Sequence, residues 1–335
     1  MTVDGGSRGD SGSAPCPPPT SVVLATEEAP LSLVVDGDHL VWVASAMQTD
    51  GSYHRSVRRA RSDGNGVVNL HETRRELAAV VAANGDVYWT ESDEGGGGGT
   101  FRAWDRASGS VRTVLAFDPS YGLLDPFALV ADERHAYVVF RADVGPGLRS
   151  EYTVWAVPLD GAKPERVARQ SLDHRSWSRS MSLRGETAFV GFSAGFLLGT
   201  SARERDATAR LLLDEVDGLD AWDLSETDLI YAQEGDLRSM PSDGGTTSRL
   251  PVFANAYRTV LARNGWIAWG ARDGLGAEDV RIRRDDGLVC VLATTDVRSV
   301  YGMATDGRHL YWTNTATKAA GGAVVRTELP PWAAP

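Results

Sequence analysis

Lysine is nearly missing from this chain of 335 residues: Lys163 and Lys318 are the only two among 34 basic residues. Arginine supplies the rest, a mark of coding bias in a GC-rich genome rather than of chemistry. No apolar run approaches the ~20 residues a membrane-spanning helix needs. The net charge of −11 opposes an electrostatic hold on nucleic acid or anionic lipid. Two cysteines, Cys16 and Cys290, cannot define a disulfide framework. No EF-hand loop, HExxH, paired CxxC or GxSxG occurs, so the common signatures of metal and serine-nucleophile chemistry are absent. Helix-period apolar patterning is almost absent as well.

Residues 1–19 are small, polar and proline-rich, with nothing to bury, and are expected to form a disordered leader or linker. A charged start followed by an apolar stretch, the mark of a signal peptide, is not visible there. Two expectations follow: an extracytoplasmic protein whose signal or lipid anchor lies outside this sequence, or, as the alternative, a cytoplasmic one. The RGD at Arg8–Asp10 reads as coincidence, and the glycine run Gly95–Gly99 as a flexible linker between strands.

What the chain does have is a repeat. Seven segments align: HLVWVAS at 39, DVYWTES at 86, HAYVVFR at 135, TAFVGFS at 187, DLIYAQE at 228, WIAWGAR at 266 and HLYWTNT at 309, with a mean spacing of 45 residues. Each follows a short apolar stretch and a turn. Most are followed by a strand, a Gly- or Asp-bearing turn (SDGNG, RASGS, LDGAK, SDGGT, RDDG) and another apolar strand. Four antiparallel strands per unit at this period specify an all-β fold, a seven-bladed β-propeller occupying residues 20–330, with a short tail at 331–335.

The seventh unit stops at its third strand and runs into PPWAAP. SVVLATEE, at residues 21–28, matches the outer strand VCVLATT and is expected to complete that blade and close the ring. The aromatic column supports this alignment. Trp42, Trp89, Val138, Val190, Tyr231, Trp269 and Trp312 share one position, followed by the smaller Val43, Thr90, Val139, Gly191, Ala232, Gly270 and Thr313. Large beside small, repeated, would interlock neighbouring blades. The fourth unit, GFLLGTSARERDATARLLL, has no clear turn signal, so six blades is the alternative count.

At Tyr88-Trp-Thr-Glu91 and Tyr311-Trp-Thr-Asn314 the chain resembles YWTD-type and TolB-like propellers, which include bacterial cell-surface and lipoprotein members. The resemblance is one of repeat style over residues 20–330. It implies a binding or assembly role outside the cytoplasm, and it carries no catalytic residue onto this chain. Those families usually have six blades, from which seven departs.

Connections from each outer strand to the next inner strand gather on one face, over the central channel. They hold Arg75, Tyr121, His174, Arg175, Trp177, Arg179, Trp222, Tyr257, Arg258, Arg298 and Tyr301. Guanidinium forks beside aromatic faces suit an anionic or sugar-like ligand; the competing reading is that they fill the channel mouth. Glu76, Asp125, Asp217 and Asp220 could meet there and hold Ca²⁺, the one cofactor the sequence leaves open. His39, His135 and His309 share a repeat column and are read as inherited, not as a metal site. Cys16 and Cys290 are within reach of each other, but free thiols, with Cys16 once lipidated as one form, are the favoured reading.

Two functions remain. The first is a non-catalytic, monomeric binding or scaffold propeller that engages a protein or glycan partner through the Arg- and aromatic-rich face. The alternative is a lyase, lactonase or cyclase of a small anionic substrate, with Ca²⁺ as an option.

Overall fold

The computed structural model describes residues 16, 18, 20–27, 29–92, 98–117, 123–143, 150–172, 178–192, 197–202, 204, 207–213, 219–252, 256–263, 265–272, 278–295, 300–315 and 322–334. Its strands form seven sheets. Strand β1 (Val22–Glu27) comes first in the chain but belongs to the last blade. The first blade is β2 (Ala29–Asp36), β3 (His39–Met47), β4 (Tyr53–Arg61) and β5 (Val68–Thr73). The second is β6 (Glu76–Ala83), β7 (Asp86–Ser92), β8 (Gly99–Asp105) and β9 (Ser110–Phe117), and the third β10 (Leu123–Ala131), β11 (His135–Asp143), β12 (Ser150–Pro158) and β13 (Glu165–Leu172). The fourth is β14 (Ser178–Arg184), β15 (Thr187–Phe192), β16 (Leu197–Ser201) and β18 (Arg210–Leu213). The fifth is β19 (Leu219–Leu224), β20 (Asp228–Gln233), β21 (Asp236–Pro241) and β22 (Ser248–Arg249). The sixth is β23 (Ala256–Arg263), β24 (Trp266–Arg272), β25 (Glu278–Arg284) and β26 (Val289–Thr295), and the seventh β27 (Val300–Thr305), β28 (His309–Asn314), β29 (Gly322–Glu328) and then β1. This is a seven-bladed β-propeller, so the six-blade alternative falls.

Local chemistry explains the strands. Within each blade the inner two strands join through a tight turn, and at Asn84-Gly85 both residues take positive φ (55° and 83°). That conformation matches the twist of a two-residue hairpin and favours Asn-Gly. The repeated apolar segments then become the second strand of each blade. Their shared aromatic column is fully enclosed: Trp42, Trp89, Trp269 and Trp312 are 0 % exposed. Seven apolar clusters fill the seven seams between blades. Trp89, for example, packs with Val41, Val43 and Val57 of the preceding blade. Burying one such side chain contributes about 1.5–3 kcal/mol, so the seams hold the ring together.

Closure follows the expected route. β1 pairs antiparallel with β29, from Val22 opposite Arg326 to Glu27 opposite Gly322. The Thr327 hydroxyl also donates to the Thr20 carbonyl. At the joint with the first blade, Arg58 donates to the Glu27 carboxylate at 2.7 Å. The Thr313 hydroxyl reaches the Leu31 carbonyl at 2.9 Å. The small residue of the YWT motif thus ties one blade to the next.

The cysteines correct the expectation. Cys16 and Cys290 form a disulfide, with Cα atoms 5.4 Å apart. Cys290 sits on the outer strand of the sixth blade, and the chain entering β1 runs along the outer rim of the seventh. Ring closure therefore brings the two sulfurs together. The segment after β29 also packs: Leu329 and Ala333 are buried, and the Ala333 carbonyl accepts from Trp266 Nε1 at 3.0 Å.

Blade four departs from the repeat. Between β16 and β18 the chain crosses to blade three, where β17 (Ala207–Thr208) adds a fifth strand parallel to β13. β18 then pairs only with Leu197, Leu198 and Gly199 of β16.

Candidate functional site

The innermost strands surround a central cavity of about 840 Å³. In all seven blades the inner strand shifts register against its neighbour near its first residues, as at Leu77/Val80, Ser178/Ser180 and Val300/Gly302. Such bulges re-aim side chains, and here they lie at the end of the channel where the inter-blade connections enter. Leu31, Val80, Ala128, Trp222, Val260 and Met303 make much of the wall apolar. Most ligand cavities combine an apolar wall of this size with a few placed polar groups.

At the opposite end of the channel the described lining contains one carboxylate, Asp223, and one guanidinium, Arg263. Asp223 Oδ2 accepts from Ala262 N and Arg263 Nη1, both at 3.0 Å. Its Oδ1 accepts from Leu224 N at 2.8 Å and from the Ser182 hydroxyl at 3.4 Å. Burial pushes the Asp223 pKa up, and the Arg263 charge and backbone donors only partly offset that rise. With four donors engaged, the carboxylate pins blade five to blades four and six and has little capacity left to act as a base.

Of the residues singled out in the inter-blade connections, Tyr121, His174, Arg175, Trp177, Asp217 and Arg298 lie outside the described residues. Asp125, Arg179, Asp220, Tyr257 and Arg258 are placed by backbone alone, at the channel-mouth ends of β10, β14, β19 and β23. Tyr301 and Trp222 line the cavity. Tyr301 is 38 % exposed, whereas Trp222 is 8 % exposed and packs with Phe189, Leu197 and Tyr231 in the seam between blades four and five. Gly191 makes room for it, since a Cβ there would fall 2.0 Å from Trp222 Nε1.

Arg75 and Glu76 belong to a rim patch where the first blade meets the second. Arg55 lies over the Tyr53 ring, 5.2 Å from its centroid. It donates to the carbonyls of Arg74 and Arg75 and stands 3.6 Å from Glu76. Arg74 Nε donates to His54 Nε2 at 3.3 Å. Met47, directly opposite Tyr53 in the ladder, is 60 % exposed, and Tyr53 itself 44 %. The sequence offered Arg75 but missed Tyr53 and Arg55. Both lie within a strand, where only the exposure of Tyr53 and the contacts that brace Arg55 distinguish them.

The histidines belong to separate blades, each against its own aspartate. His39 Nδ1 is 2.6 Å from Asp38. In the seventh blade Asp306 Oδ2 accepts from Tyr311 at 2.7 Å and meets His309 Nδ1 at 3.1 Å, while Oδ1 accepts the His309 amide. Asp132, His135 and Tyr137 repeat the arrangement in blade three. The spacing Asp-x-x-His-x-Tyr, at 132–137 and 306–311, is the sequence signal for this turn lock. Burial alone would raise the Asp306 pKa, but the Tyr311 and His309 hydrogen bonds outweigh it and bring it down to about 2.

A second buried carboxylate, Glu91, closes the YWTE motif. It is 1 % exposed and takes His71 Nε2 at 2.5 Å, Arg102 Nε at 3.1 Å and Trp89 Nε1 at 3.1 Å. Burial raises its pKa, and these donors and the nearby cationic groups bring the balance below the ordinary value.

No protein-family model matches this chain, and no curated protein sequence does. Solved structures match in fold. A chain of the mitotic checkpoint complex aligns with a TM-score of 0.63 at 13% identity, covering 94% of this chain and 96% of that one. The β-propeller domain of the trilobed protease from Pyrococcus furiosus, described as having an open velcro topology, aligns at 0.59 and 10% identity over 89% and 95%. BamB from Moraxella catarrhalis aligns at 0.54 and 13% identity over 95% and 99%. At these identities the likeness is one of fold: this chain is a β-propeller similar to theirs.

Proposed function

We propose that this propeller is a non-catalytic binding protein whose mouth-side face engages a protein partner. The carrying observation is the rim of blade one. Exposed Met47 and Tyr53 lie beside Arg55, whose guanidinium is stacked and braced in place. Aromatic residues and arginine dominate the energetics of protein interfaces, and a side chain already held in its bound position loses less entropy on association. The channel favours the same reading, because its one described carboxylate is already saturated. A glycan is the second occupant of this class, since stacked aromatic and arginine side chains also suit sugars. The structural neighbour from the mitotic checkpoint complex is itself one chain of an assembly, which accords with a scaffold role.

The Cys16–Cys290 bond supports a location outside the reducing cytoplasm, where structural disulfides persist. The test is capture with the immobilised chain alongside Tyr53→Ser and Arg55→Ala variants, with a glycan array run in parallel. Loss of one defined protein partner on either substitution, with unchanged thermal stability, is the expected result. Capture indifferent to both changes, or turnover of a small anionic substrate, would overturn the reading.

A further inference from the structure

On the face opposite the mouth, a cleft of about 860 Å³ opens where blade four departs from the repeat. Its origin is topological. Because the chain detours to blade three as β17, the fourth strand of blade four is short, and Thr200 and Ser201 of β16 have no residue opposite them in β18. The wall that an outer strand would have covered is left open. Gly199 leaves room for Leu212 in the cleft wall, since a Cβ there would meet that side chain at 3.2 Å.

Two guanidiniums converge on this cleft from one side. Arg184 Nη1 donates to the Ser242 hydroxyl at 2.7 Å. Arg210 lies against the Gly244 backbone, where a Cβ would meet its Nη2 at 2.6 Å. Both arginines are thereby held at the β21–β22 turn with donors to spare. Among the described residues no carboxylate lies within ion-pair distance of either. Hydroxyls of Thr187, Ser201 and Thr208 line the cleft, as do the carboxylates of Glu204 and Asp243. The Thr200 hydroxyl, on a residue 4 % exposed, has no hydrogen-bond partner among the described residues.

From this arrangement we propose that the cleft binds a small anionic saccharide, a sugar acid or sugar phosphate. Arginine forks grip the carboxylate or phosphate. The wall hydroxyls and the two carboxylates exchange hydrogen bonds with the sugar hydroxyls. The volume lies within the range of small-molecule sites. Departures from a local repeat rule concentrate at functional sites, and among the described residues this is where the chain adds a strand to a neighbouring sheet. The site lies on the other face from the protein-binding rim and stands independently of it.

The experiment is calorimetric titration of the whole chain with glucuronate, glucose 6-phosphate and glucose. At least one charged sugar is expected to bind at least about tenfold more tightly than glucose. Arg184→Ala and Arg210→Ala are each expected to weaken it by a similar factor, while Tyr53→Ser leaves it unchanged. No heat from either charged sugar, equal binding of glucose, or indifference to Arg210→Ala would overturn the proposal. Should Arg184→Ala fail to fold, hydrogen exchange on the unaltered chain decides. Ligand-induced protection centred on 199–212 supports the site, and protection elsewhere refutes it.

Discussion

The Glu91 carboxylate of blade two, 1 % exposed, lies 2.5 Å from His71 Nε2 of blade one, across the seam between the two blades. It also serves Arg102 and Trp89. Removing one member of a buried ionic cluster strands the others, at a cost of about 3–5 kcal/mol. Glu91→Ala should lower stability by about 3 kcal/mol, read from urea unfolding. A loss below ~1 kcal/mol, the level of an exposed pair, would show the cluster to be solvated.

Reduction of Cys16–Cys290 should destabilise the ring. The bond joins residues 274 positions apart, and the chain-entropy account puts the stabilisation from so long a loop at about 6 kcal/mol as an upper figure. Melting with and without dithiothreitol, beside Cys290→Ser, measures it. Both treatments should lower Tm by several degrees and by similar amounts. Unchanged melting would mean that β1 and the seventh blade hold closure unaided.

Gly191→Ala should be disproportionately harmful for the addition of one methyl group. The new Cβ would meet the Trp222 indole at 2.0 Å, and overpacking of this kind costs about 1–3 kcal/mol. Pairing it with Trp222→Leu should recover part of the loss. Additive effects in that double-mutant cycle would contradict direct contact.

Acid should loosen the turn lock of blade seven. Asp306 titrates at about 2 in the folded chain, below the ordinary value of about 3.9 for an unfolded aspartate. Its contribution is therefore complete above pH ~4 and disappears as pH falls towards ~2. The melting temperature of Asp306→Asn should fall less steeply than that of the parent across this window. Parallel curves would remove Asp306 from the acid sensitivity of the fold.

Blade number, strand order and ring closure were legible in the sequence because each is written locally. A glycine turn, an alternating strand and one large residue, as at Trp42, Trp89 or Trp312, recur in most units. What was not legible depends on contacts between units. β17 comprises only Ala207 and Thr208, too few residues for a periodic signal, and its partner Ala168 lies in another blade. The reach between Cys16 and Cys290 followed from ring closure, but their bonding did not: the sequence alone favours free thiols, and the Cα separation of 5.4 Å decides for the bond. In the candidate site, Trp222 and Tyr301 could be assigned to the channel from the order of strands. Asp223 and Arg263 read as ordinary turn-flanking residues in WDLSET and VLARNG, because their meeting requires blades five and six to be docked.

The pairing of β1 with β29 has a consequence for biosynthesis. A ribosome releases Val22 about 300 residues before Arg326, its partner across the ladder. Throughout that interval the first strand has no mate, and the nascent chain carries an unsatisfied strand edge of the kind that invites aggregation. Completion of the ring is thus deferred until β29 has been made. The sulfur bridge spans 274 positions and likewise waits for a late residue, Cys290. Any oxidation machinery acting on this protein should find its substrate late, and a chain stalled before β29 would remain an open arc.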